Sequence, residues 1–245
     1  MEKTRPKVRL YVESELRQSS RIKLDKRQFH YLKNVMRFKS GEAVKIFNGK
    51  DGEWFSTIHW DNLGWLVIVD HQLRKQITEP DLWLLFSPIK RINLEIMVQK
   101  AVELGVQKLV PVRMNRTVVR QINVDRLQSI AIEAAEQCDR LTVPSIVPLE
   151  SLDFLLSLWE AGRTLFFCDL DAVTPMNDTL RDIEKAIPSA IMIGPEGGFS
   201  ETERNVVLNC EFTKNVSLGS RVLRSETAAI SALVLWQSIM GNNFD

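Results

Sequence analysis

A chain of 245 residues, 44% of them apolar, can bury one sizeable core and a smaller second one, so two domains are expected. No stretch reaches the roughly eighteen consecutive apolar residues of a membrane span, and no apolar run follows the basic start MEKTRPK, which argues for a soluble cytosolic protein without a signal peptide. Three cysteines (Cys138, Cys168, Cys210) without CxxC spacing argue against a disulfide framework or a structural zinc site, and the net charge of +1 hides an asymmetry: residues 1–77 carry 16 Lys and Arg against 9 Asp and Glu, while the remainder carries 16 against 22.

In chain order, residues 1–77 read as a small β-barrel with one helix. VRLYV, EAVKIFNGKDGEWFSTIHW and GWLVIVDHQL are β-branched or aromatic runs, and Asn48-Gly49 is a hairpin signal between two of them. Asp25 is placed to cap a helix through about Arg37, with Phe29, Leu32, Val35 and Met36 on one face and Lys26, Arg27, Lys33 and Arg37 on the other. A basic surface of this kind suits a polyanion.

Near ITEPDLW the pattern changes, and residues 78–245 form a second, α/β domain. Strands LWLLFSP, KLVPV, TLFFCDL, AIMI and NVSL alternate with amphipathic helices, which predicts a parallel sheet covered on both faces. The helix from Asn93 carries Leu94, Met97, Val98, Ala101 and Val102 on one stripe and ends at Gly105. A later helix starts at Ser200, where Ser200 and Glu203 fit a capping box, and the last runs from Ser225 to about Met240.

Two late loops carry the chemistry. In IMIGPEGGFSETE, a strand leads into Gly194, Pro195, Glu196, Gly197 and Gly198 and then directly into a helix; the glycines allow positive φ and close backbone approach to a ligand. The loop lacks the Lys-Ser/Thr of a P-loop and is not GxGxxG, so it suits a neutral or cationic ligand better than a polyphosphate. In VSLGSRVLRSETAAI, Gly219 provides close approach, and Arg221 and Arg224 are able to hold a phosphate or polarise an acceptor oxygen, or to form a salt bridge with Glu226 or Glu203.

IGPEGG followed by LGSRVLRSETA, with VQKAVELGV, EQCDR and a basic β-rich N-terminal segment, resembles the 16S ribosomal RNA uridine-N3 methyltransferases of the SPOUT class over essentially the whole chain. The resemblance implies a PUA-like barrel followed by an α/β domain whose C-terminal loops form a trefoil knot around S-adenosylmethionine. It implies a pocket drawn from Phe167, Cys168 and Asp169, from Ile193 to Gly198, and from Leu218, Gly219, Ser220, Arg221, Val222 and Leu223. Glu196 then holds a ribose hydroxyl, faces the sulfonium or has a structural role. It also implies action on 16S ribosomal RNA or the small subunit and, together with the apolar last helix ETAAISALVLWQSIMG, a homodimer; the lack of long apolar runs and of CxxC spacing leads to an expectation of no membrane and no metal. One departure stands out: KRINLE, with Arg91 and Asn93, replaces the glycine and second basic residue expected before the QKAVELG helix.

Methylation at uracil N3 requires loss of the N3 proton. All three histidines (His30, His59, His71) lie in the first domain, so an arginine is expected to stabilise the uracil anion: Arg224 first, then Arg140 or Arg116, the last two also suited to RNA phosphates. A noncatalytic RNA-binding assembly protein on the same fold is the competing reading; a nucleotide-dependent enzyme is disfavoured by the missing phosphate motifs.

Overall fold

The computed structural model describes residue 6 and residues 8–61, 64–185 and 187–241. It divides into two compact units, Met1–Thr78 with Ala135–Thr142, and Glu79–Ala134 with Val143–Asp245. The sequence boundary after residue 77 lies beside the end of the first stretch, but the octapeptide Ala135–Thr142 was expected in the second domain.

The first unit is a curled half-barrel. Its strands β1 (Arg9–Tyr11), β2 (Arg21–Lys23), β3 (Ala43–Phe47), β4 (Glu53–Asp61) and β5 (Gly64–Arg74) lie in the order β1-β3-β4-β5-β2. Only β1 and β3 run parallel. Alternating residues such as Val44, Ile46, Ile58, Val67 and Val69 point inward, and Leu10, Ile22 and Leu32 complete the core. Asn48 does start the turn between β3 and β4, as an Asx turn in which its Oδ1 accepts from the amides of Lys50 and Asp51.

Asp25 caps α1 (Lys26–His30) through the amides of Arg27 and Gln28. From Tyr31 to Val35 the coil widens into a π-turn. With more residues per turn, the three-and-four spacing no longer returns to one face. Leu32 therefore reaches the core, whereas Val35 and Met36, expected beside it, are exposed.

The octapeptide is held by ions. Arg9 donates to the carbonyls of Ala135 (2.7 Å), Glu136 (3.1 Å) and Arg140 (2.8 Å), satisfying the end of a helix with a cation. Glu53, 1% exposed, accepts from Arg9 at 2.6 Å and from both sides of the Arg74 guanidinium at 3.0 and 2.9 Å.

In the second unit, β6 (Leu82–Phe86), β7 (Lys108–Arg113), β8 (Ser145–Ile146), β9 (Glu150–Ser151), β10 (Thr164–Cys168), β11 (Ser189–Ile193) and β12 (Thr213–Val216) form a sheet ordered β12-β10-β11-β6-β7-β8, with β9 also on β7. Every pairing is parallel. Accordingly β11 is buried along its whole length, as a strand covered on both faces must be. The helices are α2 (Arg91–Glu103), α3 (Val124–Gln137), α4 (Leu152–Ser157), α5 (Met176–Arg181), α6 (Glu201–Leu208) and α7 (Ser225–Met240), the last turn of α3 counting with the first unit. Among the described residues no helix is long and apolar enough to cross a membrane, and no cluster of three His, Cys, Asp or Glu could hold a metal ion.

Candidate active site

Parallel strands present their carboxyl ends on one side of a sheet, where ligand crevices form. Here β10, β11 and β12 end at Cys168, Ile193 and Val216, and the loops that follow enclose a cavity of about 720 Å³.

The loop after β11 is locked by its own residues. Glycine is required at Gly194 because a Cβ there would lie 2.8 Å from the Phe199 ring. Gly198, at φ +71°, closes a turn by donating to the Pro195 carbonyl at 2.8 Å. Ser200 and Glu203 then form the expected capping box at the start of α6. Glu203 does more than cap: its second oxygen accepts from the Asn115 amide at 2.6 Å, and Asn115 Nδ2 donates to Ser200 Oγ at 2.9 Å. Arg116 Nη1 donates to the Gly197 carbonyl at 2.7 Å. The segment after β7 is thus laced to the glycine loop.

Gly219 in the second loop has φ +112°, and a Cβ built there would meet nothing within 4 Å. The backbone conformation therefore demands glycine, and the neighbouring space stays open. Ser225, the first residue of α7, donates from Oγ to the Gly194 carbonyl at 3.1 Å and joins the two loops. On the third side, Asp169 at the end of β10 accepts from Arg204 Nε at 2.6 Å; this bond, with the neighbouring acidic charges of Asp169 and Asp171, pushes the Arg204 guanidinium up from its ordinary value. Burial pushes the Cys168 thiol up to about 12, so it stays protonated at neutral pH and serves as an apolar wall.

Most residues expected at the pocket line this cavity: Cys168, Asp169, Ile193 through Gly198, Leu218, Gly219, Arg221, Val222, Leu223, and the arginines Arg116 and Arg224. Phe167 does not, because strand alternation turns it into the core, where its ring packs on Phe199 at 4.5 Å. Ser220 is exposed and outside the lining. Arg140 belongs to the first unit, buried, with Nε donating to Thr142 Oγ1 at 2.9 Å. The cavity adds Lys90, Asn93, Asp171, Phe199 and Arg204 to the expected set. In KRINLE, Lys90 and Asn93 line it, while Arg91 is bound to Glu95 at 3.0 Å on the exposed side of α2. Arg224 is exposed, and among the described residues neither it nor Arg221 has an ion pair; Glu203, one partner considered for it, is occupied by Asn115 and Ser200.

Residues 77–237 match the family described as RNA methyltransferase domain, and residues 24–58 match the RNA methyltransferase PUA domain. A Rickettsia conorii protein named ribosomal RNA small subunit methyltransferase E is 34% identical over 232 residues, 92% of this chain and 93% of its own. The chain belongs to the ribosomal RNA small subunit methyltransferase E family. A Neisseria gonorrhoeae protein of that family, crystallised with S-adenosyl methionine, matches 94% of this chain and 97% of its own with a TM-score of 0.83 and 26% identity. A Legionella pneumophila protein solved in complex with the bound cofactor SAM matches 96% of this chain and 98% of its own, with a TM-score of 0.82 and 28% identity. The chain is similar to both structures over nearly its whole length, and it has a small β-unit and a parallel α/β unit, the fold class expected from its sequence.

Proposed function

We propose that this protein binds S-adenosylmethionine in the cavity described above and methylates a uridine of 16S ribosomal RNA at N3. The observation that carries the reading is the meeting, at one cavity, of the Gly194 and Gly219 loops with an exposed arginine, Arg224, that has no ion pair among the described residues. The residues fit the cofactor. The protonated Cys168 and the side chain of Ile193 give apolar wall, the loop backbones give hydrogen-bonding edges, the Asp169 and Glu196 carboxylates suit hydroxyls and a cation, and open space lies beside Gly219. When bound, S-adenosylmethionine supplies an electrophilic methyl group on a sulfonium.

The protein's part is placement and charge. Lys90, Arg116 and Arg224 give the cavity mouth cations for an RNA backbone and for the oxygen of an ionising uracil. As the N3 proton leaves for water, negative charge grows on the ring, and Arg224 is the cation assigned to hold it, with Arg116, tied to Gly197, next; Arg140, buried in the first unit and outside the cavity lining, drops out of the set. The same proposal includes the knotted threading: after edge strand β12 the chain passes the Gly194 loop, and α7 packs back over β11 and α2. It also includes a homodimer.

Calorimetric titration should give saturable binding of S-adenosylmethionine and none of ATP. Mass-spectrometric mapping of 16S ribosomal RNA from cells with and without the protein should show one N3-methyluridine that depends on it. Cofactor binding with an unchanged methylation map would point to a noncatalytic RNA-binding role.

A further inference from the structure

The half-barrel leaves part of its aromatic content outside the core. Trp60 and Trp65 are cross-strand partners on β4 and β5, with ring centroids 4.7 Å apart. Phe29 of α1 packs edge-on against Trp65 at 4.9 Å, and the Lys33 ammonium lies over the Phe29 ring at 5.2 Å. Trp65 is the joint, packed against the core on one side. Trp60 is 44% exposed, and Phe29 is only half-buried.

The row is bordered by positive charge. Residues 21–39 hold seven Lys and Arg against a single acid, Asp25. That acid is consumed as the N-cap of α1. Lys23, Lys26, Arg27, Lys33 and Arg37 are all exposed, and the π-turn that displaces Val35 and Met36 from the core keeps this stretch at the surface. An isolated exposed tryptophan needs no explanation. A row of three rings ending in one, along a segment with seven cations and one acid, is the composition of a single-strand binding platform: π-faces take bases and cations track phosphates.

We propose that Trp60, supported by Trp65 and Phe29, stacks an unpaired nucleobase of the RNA substrate while Lys33 and its neighbours hold the adjoining phosphates. The proposal rests on the RNA-methyltransferase reading and adds to it a base-contacting site on the small unit, remote in sequence from the cofactor loops. Duplex RNA keeps its bases stacked and cannot use the site; an anionic membrane or an acidic protein would engage the cations without needing an indole face.

The test uses the full-length protein, a fluorescent oligouridylate, an RNA duplex of equal length and phosphatidylglycerol vesicles. Trp60→Leu keeps apolar bulk but removes the stacking face, and Trp60→Phe restores a ring. Trp60→Leu should weaken oligouridylate binding roughly tenfold, with most of the loss recovered in Trp60→Phe, duplex affinity changed less than twofold and an unchanged salt slope. Lys33→Gln should instead lower the salt slope by about one. On the wild type, 4-thiouridine in the oligonucleotide should crosslink to peptides containing Trp60, Trp65 or Phe29. Trp60→Leu affinity within twofold of wild type, an equal loss on duplex, crosslinks only elsewhere, or vesicles that displace the oligonucleotide from wild type and from Trp60→Leu with the same potency would each overturn the proposal. S-adenosylmethionine affinity, measured in parallel, tests the enzyme reading separately: its absence in the wild type would sink that reading and leave the crosslink result standing.

Discussion

Arg224 and Gly219 stand five residues apart in one loop, yet they invite opposite experiments. Removing the Arg224 cation should leave the folded state intact, since no ion pair depends on it among the described residues. Arg224→Ala is expected to keep S-adenosylmethionine affinity within about threefold while slowing single-turnover methyl transfer roughly a hundredfold. A near-normal rate would move the role to Arg116, which also lines the cavity. Gly219→Val should do the reverse. A β-branched residue cannot hold φ near +112°, and its side chain would enter the open space beside the loop, so calorimetry should detect no cofactor binding by a protein that still melts cooperatively. Both residues stood out in the sequence through the motif LGSRVLRSETA and its family resemblance, but the sequence left Arg224 open to a salt bridge with Glu226 or Glu203, and only the structure, among its described residues, shows no such pair. Arg204 was not legible. Its signal is a bond to Asp169, which lies 35 residues earlier, and no local pattern announces a pairing made only when β10 and α6 come together.

At the level of elements, local chemistry read best where it closes on itself. The Ser200–Glu203 box fixed the start of α6 from four residues, and Ser225–Met240 was recovered as α7. The helix after Asp25 began as expected but changed coil at Tyr31, because helical spacing assumes a constant turn and the π-turn breaks that assumption. The lacing of Asn115 to Glu203 was invisible for the same reason as Arg204: it joins segments 88 residues apart. It also makes Glu203 more than a cap. Glu203→Ala should cost about 2 kcal/mol in chemical denaturation, the sum expected from a lost cap and a lost charged acceptor. Cofactor affinity should fall with it, because the glycine loop loses its tie to the segment after β7. A variant with lowered stability but unchanged affinity would show the loop to be held by Gly194, Phe199 and Arg116 alone.

For the molecule as a whole, α7 bears on assembly: Ala229, Ala232, Leu233, Trp236 and Met240 are buried within the chain, while Val234 remains 47% exposed. The proposed homodimer would cover that side, and sedimentation at micromolar concentration should give twice the chain mass; a monomer there would remove the assembly from the proposal. Glu53 governs the other unit. Burial alone would raise its carboxyl, but hydrogen bonds from Arg74 and Arg9, with their charges, outweigh it and hold the group below its ordinary value. The stability it confers is therefore complete above the ordinary carboxylate range and is lost as pH falls through the lowered folded value. Glu53→Gln should destabilise the first unit by about 3 kcal/mol at neutral pH, and the gap from wild type should close in acid. A gap that persisted at the lowest pH would show that packing, not charge, is what the substitution removes. The place of Ala135–Thr142 in that unit also sets an order of events during synthesis. The half-barrel strands leave the ribosome early, but Arg9 receives the carbonyls it binds only after the chain has been extended to Arg140, seconds later at roughly 5–20 residues per second. Until then the nascent barrel carries a closely paired Arg9 and Glu53 without their final cover, and its maturation is timed by translation of the segment that follows it.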